Sequence, residues 1–318
     1  MNGPVLVTGG AGFIGSHLVA RLLAAGREVV VLDDLSTGAE ANLAAVRAHP
    51  GLRLVRGRVS SCAELPDLVR GASFAFHLAA SVGVDLVVQS PLATIENNLT
   101  ETRAVLDAAA DRRTPVLITS TSEVYGRSAK AVFSEDDDLI VGPPSVGRWS
   151  YACSKLLDEF LALACGRERG VPVIVTRLFN TVGPRQTGRF GMVLPRFLEA
   201  ARAGAPLRVF GSGAQTRCFC LVDDVVEALL RLAALPAAVG EVFNVGGDEE
   251  VTIRELAELV IAELKSSSRL ELVPYDAAYA PGFEDMQRRR PSLEKLERAT
   301  GFRPRTPLRE IIRRTAGL

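Results

Sequence analysis

The stretch Val5-Leu6-Val7-Thr8-Gly9-Gly10-Ala11-Gly12-Phe13-Ile14-Gly15 decides how the rest of the chain is read. A short β-prone run leads into glycines three apart, at Gly9, Gly12 and Gly15. An apolar helical pattern then covers 13–25 until Gly26 stops it. Gly9 allows a tight turn out of the strand, Gly12 lets backbone approach a pyrophosphate, and Gly15 lets the helix lie close to the strand. The helix start offers unsatisfied N–H groups and the positive end of its dipole to phosphates. A second strand pattern covers 28–32, and Asp33 follows it, 24 residues after Gly9. A carboxylate there can accept both hydroxyls of a ribose and repels a 2′-phosphate, so the spacing predicts NAD rather than NADP.

Outward from this unit the alternation continues. Apolar runs at 52–56, 74–77, 116–120 and 173–177 read as strands separated by helical stretches. They are apolar almost throughout, as when helices cover both faces of a parallel sheet. The fold class is therefore α/β, a doubly wound parallel sheet (Rossmann) with a smaller C-terminal substrate-binding region. After about residue 180 the pattern loosens at Pro184, Pro195, Pro206 and Gly211–Gly213, and helical patterns return at 223–234 and 252–264. Residues 266–268 read as a loop, and no repeat or low-complexity tract is visible. We assign 1–178 to the cofactor domain, with 215–245 returning to it, and 179–318 to the substrate region.

Composition excludes other classes. In 318 residues, 37 Lys and Arg balance 37 Asp and Glu, so no global field draws the chain onto nucleic acid or an anionic membrane. With 47% hydrophobic residues it can bury a large core. Met1-Asn2-Gly3-Pro4 runs straight into the first strand without the charged and apolar regions of a signal peptide, and no apolar run approaches the ~20 residues of a membrane span. The five cysteines lack CxxC spacing and read as buried free thiols, Cys218 and Cys220 facing the same side of one strand. No metal site is expected, and a reducing cytoplasm fits best.

A second motif, Tyr151-Ala152-Cys153-Ser154-Lys155, puts a tyrosine and a lysine at i, i+4 on one helix face. With the glycine spacing it resembles the short-chain dehydrogenase/reductase superfamily. The long C-terminal region resembles its extended branch of nucleotide-sugar epimerases, dehydratases and decarboxylases. Asp33-Asp34-Leu35-Ser36-Thr37-Gly38, His77-Leu78-Ala79-Ala80, Arg177–Arg185 and Phe210–Arg217 are family-like blocks in the family's order. The resemblance implies a cofactor site of Gly9, Gly12, Phe13, Ile14, Gly15, Asp33, Ser36, Gly38, Val59, Leu78, Ala79, Ala80 and Lys155. One block departs: where the family has Gly-Asp-Val or Gly-Asp-Ile, this chain has Gly57-Arg58-Val59, and Arg58 either stacks on adenine or faces solvent.

The resemblance makes Tyr151 the base that takes a proton from a sugar hydroxyl while hydride leaves the same carbon for NAD. A phenol is a poor base at neutral pH, and Lys155 with the cationic nicotinamide would lower its pKa. Thr121 or Ser122 hydrogen-bonds the same sugar oxygen, and Asn98 resembles a supporting helix asparagine.

The reaction class turns on Ser120-Thr121-Ser122-Glu123-Val124-Tyr125-Gly126. The similar 4,6-dehydratases carry Thr-Asp-Glu there, and serine is too weak an acid for the aspartate's task. The block, with Arg148-Trp149-Ser150-Tyr151, resembles UDP-glucuronate decarboxylases. Oxidation at C4 makes the C5 carboxylate a β-keto acid that loses CO₂, and Tyr151 and Thr121 steady the enolate. Hydride return gives UDP-xylose; release before return gives the 4-keto pentose. Glu123 orients the ring or manages a proton, or else serves only structure. Arg217 is a partner for carboxylate or phosphate, Arg289 resembles a late diphosphate-binding arginine, Asn180 a diphosphate ligand, and Phe210 a platform for uracil. Arg185 and Arg189 are further polar candidates. Alternatives are a UDP-hexose or UDP-hexuronate 4-epimerase, and an NAD-binding sensor without catalysis, which intact Tyr151, Lys155 and Thr121 disfavour. A UDP-sugar substrate, no nucleic acid or membrane partner, and a homodimer are the expected associations.

Overall fold

The fold is taken from a computed structural model that describes residues 3–81, 90–188, 192–274 and 286–318. The opening stretch forms β1 (Val5–Thr8) and α1 (Phe13–Ala24), one residue shorter than the pattern predicts. Gly26 accepts the left-handed turn after the helix, at φ +74°. β2 (Val29–Asp33), β3 (Leu52–Arg56), α2 (Leu65–Gly71), β4 (Phe74–His77), α3 (Pro91–Ala110), β5 (Val116–Thr121), α4 (Trp149–Arg169) and β6 (Val173–Leu178) complete the alternation.

A later strand, β11 (Val242–Val245), joins the edge, and among the described residues the sheet reads β11-β6-β5-β4-β1-β2-β3, parallel at every pairing. Alternation along β1 sends Val5 and Val7 into one core layer and Leu6 into the other. α1 and α6 (Val222–Ala233) cover the first face; α2, α3 and α4 cover the second. Strand order reverses between β4 and β1, where a crevice opens at the carboxyl ends of the strands.

The C-terminal part has its own core. β7 (Thr181–Val182), α5 (Val193–Arg202), β8 (Leu207–Phe210), β9 (Thr216–Cys218), β10 (Cys220–Leu221), β12 (Glu250–Thr252), α7 (Ile253–Leu264), β13 (Leu270–Val273) and α9 (Leu308–Ala316) supply its elements, whereas α8 (Glu294–Thr300) packs through Leu296 on the first face of the large sheet. Phe197, Leu256, Val260 and Ile312 are buried together in it. Thr252 starts α7 with a reciprocal capping box to Glu255.

Two cysteine expectations need correction. Cys218 and Cys220 lie in different two-stranded sheets because the strand breaks at Phe219, and Cys153 is exposed on α4 while Cys165, Cys218 and Cys220 are buried. No helix among the described residues is long and apolar enough to cross a membrane.

Candidate active site

A cleft of about 960 Å³ lies over the crevice, between the sheet and the C-terminal part. The glycine loop forms one wall. Gly9 sits at φ +70°, and a Cβ there would lie 2.7 Å from the Ala79 nitrogen; one on Gly15 would lie 2.1 Å from the Gly9 carbonyl oxygen. Gly12, Phe13, Ile14 and Gly15 face the cleft from the start of α1, and Leu78, Ala79, Ala80, Ser36 and Val59 line it as expected. Gly38 does not line it. It packs behind the loop, where a Cβ would meet the Ala11 backbone at 2.8 Å, while Asn42 donates to the Ala11 carbonyl at 2.9 Å.

Asp33 is buried and already occupied in part: it accepts from the Ala11 N–H at 2.9 Å and the Leu35 N–H at 2.8 Å. Burial raises its pKa, and those two donors pull it back. A carboxylate has about four acceptor positions, so two remain for ribose hydroxyls. The cradle, the first turn of α1 and this acceptor together fit an adenine dinucleotide.

At the centre, Tyr151 and Lys155 project from α4 into the cleft. The Thr121 hydroxyl lies near enough to the Tyr151 phenol to oppose the rise that burial gives its pKa; it accepts from the Glu123 N–H at 3.2 Å and caps the single-turn helix Ser122–Tyr125. This places Thr121, rather than the more deeply buried Ser122, against the tyrosine. Tyr151 does not have the lowered pKa expected from its neighbour. Burial pushes the phenol far above its ordinary value, and the carboxylates of Glu123 and Asp158 push the same way. Burial is the main reason, and the Lys155 ammonium is itself paired, donating to the buried Asp158 at 2.7 Å.

A buried group of polar side chains lies behind the pair. Thr102 is near enough to Asp158 to oppose the rise that burial gives its pKa, the Thr102 hydroxyl lies 3.2 Å from His77 Nε2, and His77 Nδ1 lies 2.7 Å from the Thr8 hydroxyl. Burial, then the nearby Lys155 charge, drives the His77 pKa down to about 3, so the ring is neutral. Asn98 is buried; it accepts from the Ser81 N–H at 2.7 Å and donates to the Ser154 hydroxyl at 3.0 Å, bracing the turn before Lys155.

Glu123 is the pivot of the sugar end. Its carboxylate contacts Arg289 at 3.2 Å and Arg148 at 3.4 Å, and all three side chains are largely buried. Of the run Arg288-Arg289-Arg290, only Arg289 is fully turned inward, while Arg288 faces outward to Glu250. Arg148 was missed as a site residue, although its place three residues before Tyr151 puts it at the start of the same helix.

Asn180, Arg217 and Phe210 line the cleft, with modifications. Asn180 donates to the Cys218 carbonyl at 2.9 Å, and Arg217 donates to the Thr216 carbonyl at 2.7 Å. The Arg196 guanidinium sits 4.5 Å from the Phe210 ring centroid, so the aromatic platform carries a cation on it. Arg196 and Arg208 also line this end and had no motif to reveal them.

Arg185 reaches elsewhere than expected. At φ +69° it turns back to donate to the Ser16 hydroxyl at 3.0 Å, in the first turn of α1, so its charge lies at the phosphate end of the glycine loop. Arg189 lies outside the described residues. Arg58, left open between two roles, is ion-paired with Glu101 at 2.6 Å.

Comparison with known proteins gives the family. Residues 5–246 match the NAD dependent epimerase/dehydratase family. The chain is 38% identical to the UDP-N-acetyl-alpha-D-glucosaminuronate decarboxylase of Bacillus cytotoxicus, over 98% of this chain and 95% of the relative. It is 34% identical to UDP-glucuronic acid decarboxylase 1 of Danio rerio, over 98% and 71%. Among solved structures it is similar to DesIV, the dTDP-glucose 4,6-dehydratase of Streptomyces venezuelae with NAD and TYD bound. There the TM-score is 0.88 and the identity 32%, over 99% and 96% of the two chains. The glycine cradle, the ribose carboxylate and the tyrosine–lysine pair thus lie in a chain that belongs to the NAD dependent epimerase/dehydratase family.

Proposed function

We propose that the chain is an NAD-dependent decarboxylase acting on UDP-glucuronate. The observation that carries this reading is Glu123, held between Arg148 and Arg289 beside Tyr151. A 4-epimerase has no evident use for a carboxylate clamped there. A decarboxylase needs arginines to seat the sugar carboxylate and a way to keep that seat from being too comfortable. The names of the two relatives support the same reaction.

In this reading the glycine loop, Asp33 and Arg185 hold the dinucleotide, and Lys155 orients its nicotinamide ribose. Bound NAD supplies the hydride acceptor for C4 and a cationic ring beside Tyr151 that favours the phenolate. Tyr151 takes the 4-hydroxyl proton, with Thr121 fixing the same oxygen. After CO₂ leaves C5, Tyr151 and Thr121 donate to the enolate oxygen at C4. Arg289, Arg217 and Asn180 hold the carboxylate and diphosphate, and Phe210 flanks the uracil. The cofactor part is 1–178 with 215–245, and the sugar part is 179–318. The enzyme acts in the cytoplasm as a homodimer joined through α3 and α4, whose outer faces expose Leu92, Leu157 and Phe160.

The 38% identical relative, matched over nearly its whole length, favours UDP-N-acetylglucosaminuronate as a second substrate reading. One assay separates the possibilities: purified protein with NAD and either uronate, followed by CO₂ release and NMR of the sugar. UDP-xylose or the 4-keto pentose from UDP-glucuronate supports the first reading, and turnover of the N-acetylated sugar alone supports the second. UDP-galacturonate without CO₂ would replace both with a 4-epimerase.

A further inference from the structure

The adenosine end of the cleft carries an arginine where the ribose carboxylate alone would suffice to choose NAD. β2 and β3 are in register with Asp33 opposite Arg56, and the Gly57 N–H donates to the Asp33 carbonyl at 3.0 Å. Arg58 therefore stands beside the 2′-position of any ribose that Asp33 holds. A free guanidinium there would be a bidentate partner for a 2′-phosphate and would work against Asp33.

Arg58 is not free. Its Nε donates to Glu101 at 2.6 Å, and its Nη2 donates to Asn97, both on α3. Glu101 is itself buried and anchored, accepting from the Ser60 N–H at 2.8 Å and the Ser60 hydroxyl at 2.6 Å. Asp34 adds a further negative charge nearby. Two carboxylates, Glu101 and Asp34, thus face this arginine at this end of the cleft, in contrast to the arginine-rich sugar end.

We propose that Glu101 is a cofactor-specificity residue: by pairing with Arg58 it removes the phosphate-binding capacity of that guanidinium and keeps the site selective for NAD over NADP. The inference concerns the dinucleotide alone and does not depend on which sugar is turned over.

The test is direct binding of NAD and NADP, by calorimetry, to the intact chain without sugar. Glu101→Gln keeps an acceptor for Ser60 but loses the charge. It should tighten NADP by roughly 10-fold or more, the scale of a charge-assisted contact, while NAD changes by less than about 3-fold. The gain should vanish in R58A/E101Q, and R58A alone, which leaves the Glu101 carboxylate unpaired, should not raise the NADP-to-NAD affinity ratio. An unchanged ratio in E101Q, a gain that survives in the double variant, or a ratio shifted toward NADP in R58A would each overturn the proposal. Failure of the uronate assay with selective NAD binding intact would count only against the decarboxylase reading.

Discussion

Glu123→Gln tests the decarboxylase reading at the residue on which it rests. Glu123 and its two arginines carry a combined charge of plus one, and the substitution makes it plus two. Two carboxylates that share one guanidinium, as Glu123 and a sugar carboxylate on Arg289 would, lie roughly 6 Å apart, two charge-assisted hydrogen bonds end to end. At that separation and an effective dielectric near 20, Coulomb's law gives about 3 kcal/mol of repulsion. The guanidiniums between them reduce this to about 2 kcal/mol, or roughly 30-fold. The repulsion acts on the bound carboxylate and falls as CO₂ leaves and the charge passes to the C4 oxygen, where Tyr151 and Thr121 donate to it, so it speeds that step. Glu123→Gln should therefore bind the uronate more tightly and release CO₂ roughly 30-fold more slowly. C4 oxidation, read as NADH formed in a single turnover, should remain measurable. The oxidation limb should also move. Tyr151 acts as the phenolate, so its rate rises with pH; Glu123 raises its pKa, and removing that charge should shift the rising limb to lower pH. Wild-type CO₂ release, or parallel loss of oxidation and CO₂ with no change in binding, would refute this account.

Tyr151→Phe should lower kcat by about 10²–10⁴-fold, as for loss of a general base, with NAD affinity in calorimetry unchanged. Gly15→Ala places a Cβ 2.1 Å from the Gly9 carbonyl oxygen and should raise the Kd for NAD by roughly 10-fold or more through displacement of the loop. Burial drives the His77 pKa down to about 3 in the folded chain, from an ordinary 6.5. Because its pKa is depressed, the unfolded chain takes up the proton first as pH falls below 6.5, and stability is lost. Between pH 7 and pH 5 this costs about 2 kcal/mol, and His77→Gln should show a correspondingly shallower loss in urea titrations at the two values.

Much of the fold was legible because it is written in local chemistry. The apolar runs become β1 to β6 with ends within a residue or two, since a strand covered on both faces must be apolar throughout; the edge strand β3, with Arg53 and Arg56 exposed, is the exception. The glycine spacing, Asp33 and the Tyr151–Lys155 pair were readable for the same reason: each role depends on backbone shape or helix spacing over a few residues. Thr121 and Glu123 could be named because they follow β5 directly, though their contacts could not.

Only the tertiary structure decided what each charge meets. Arg58 is 43 residues from Glu101, Arg289 is 166 from Glu123, and Arg185 is 169 from Ser16. No periodicity links such positions, and a guanidinium reads alike in sequence whether it is solvated, paired or aimed at phosphate. Lys155 shows the same limit within one helix: i, i+4 spacing joins it to Tyr151, yet the buried Asp158 at i+3 holds its ammonium. The sequence determined a neutral chain with a dinucleotide cradle and a tyrosine–lysine pair. Folding determined where its balanced charges separate, acidic around the ribose and basic around the sugar, because burial removes the solvent that would otherwise screen them.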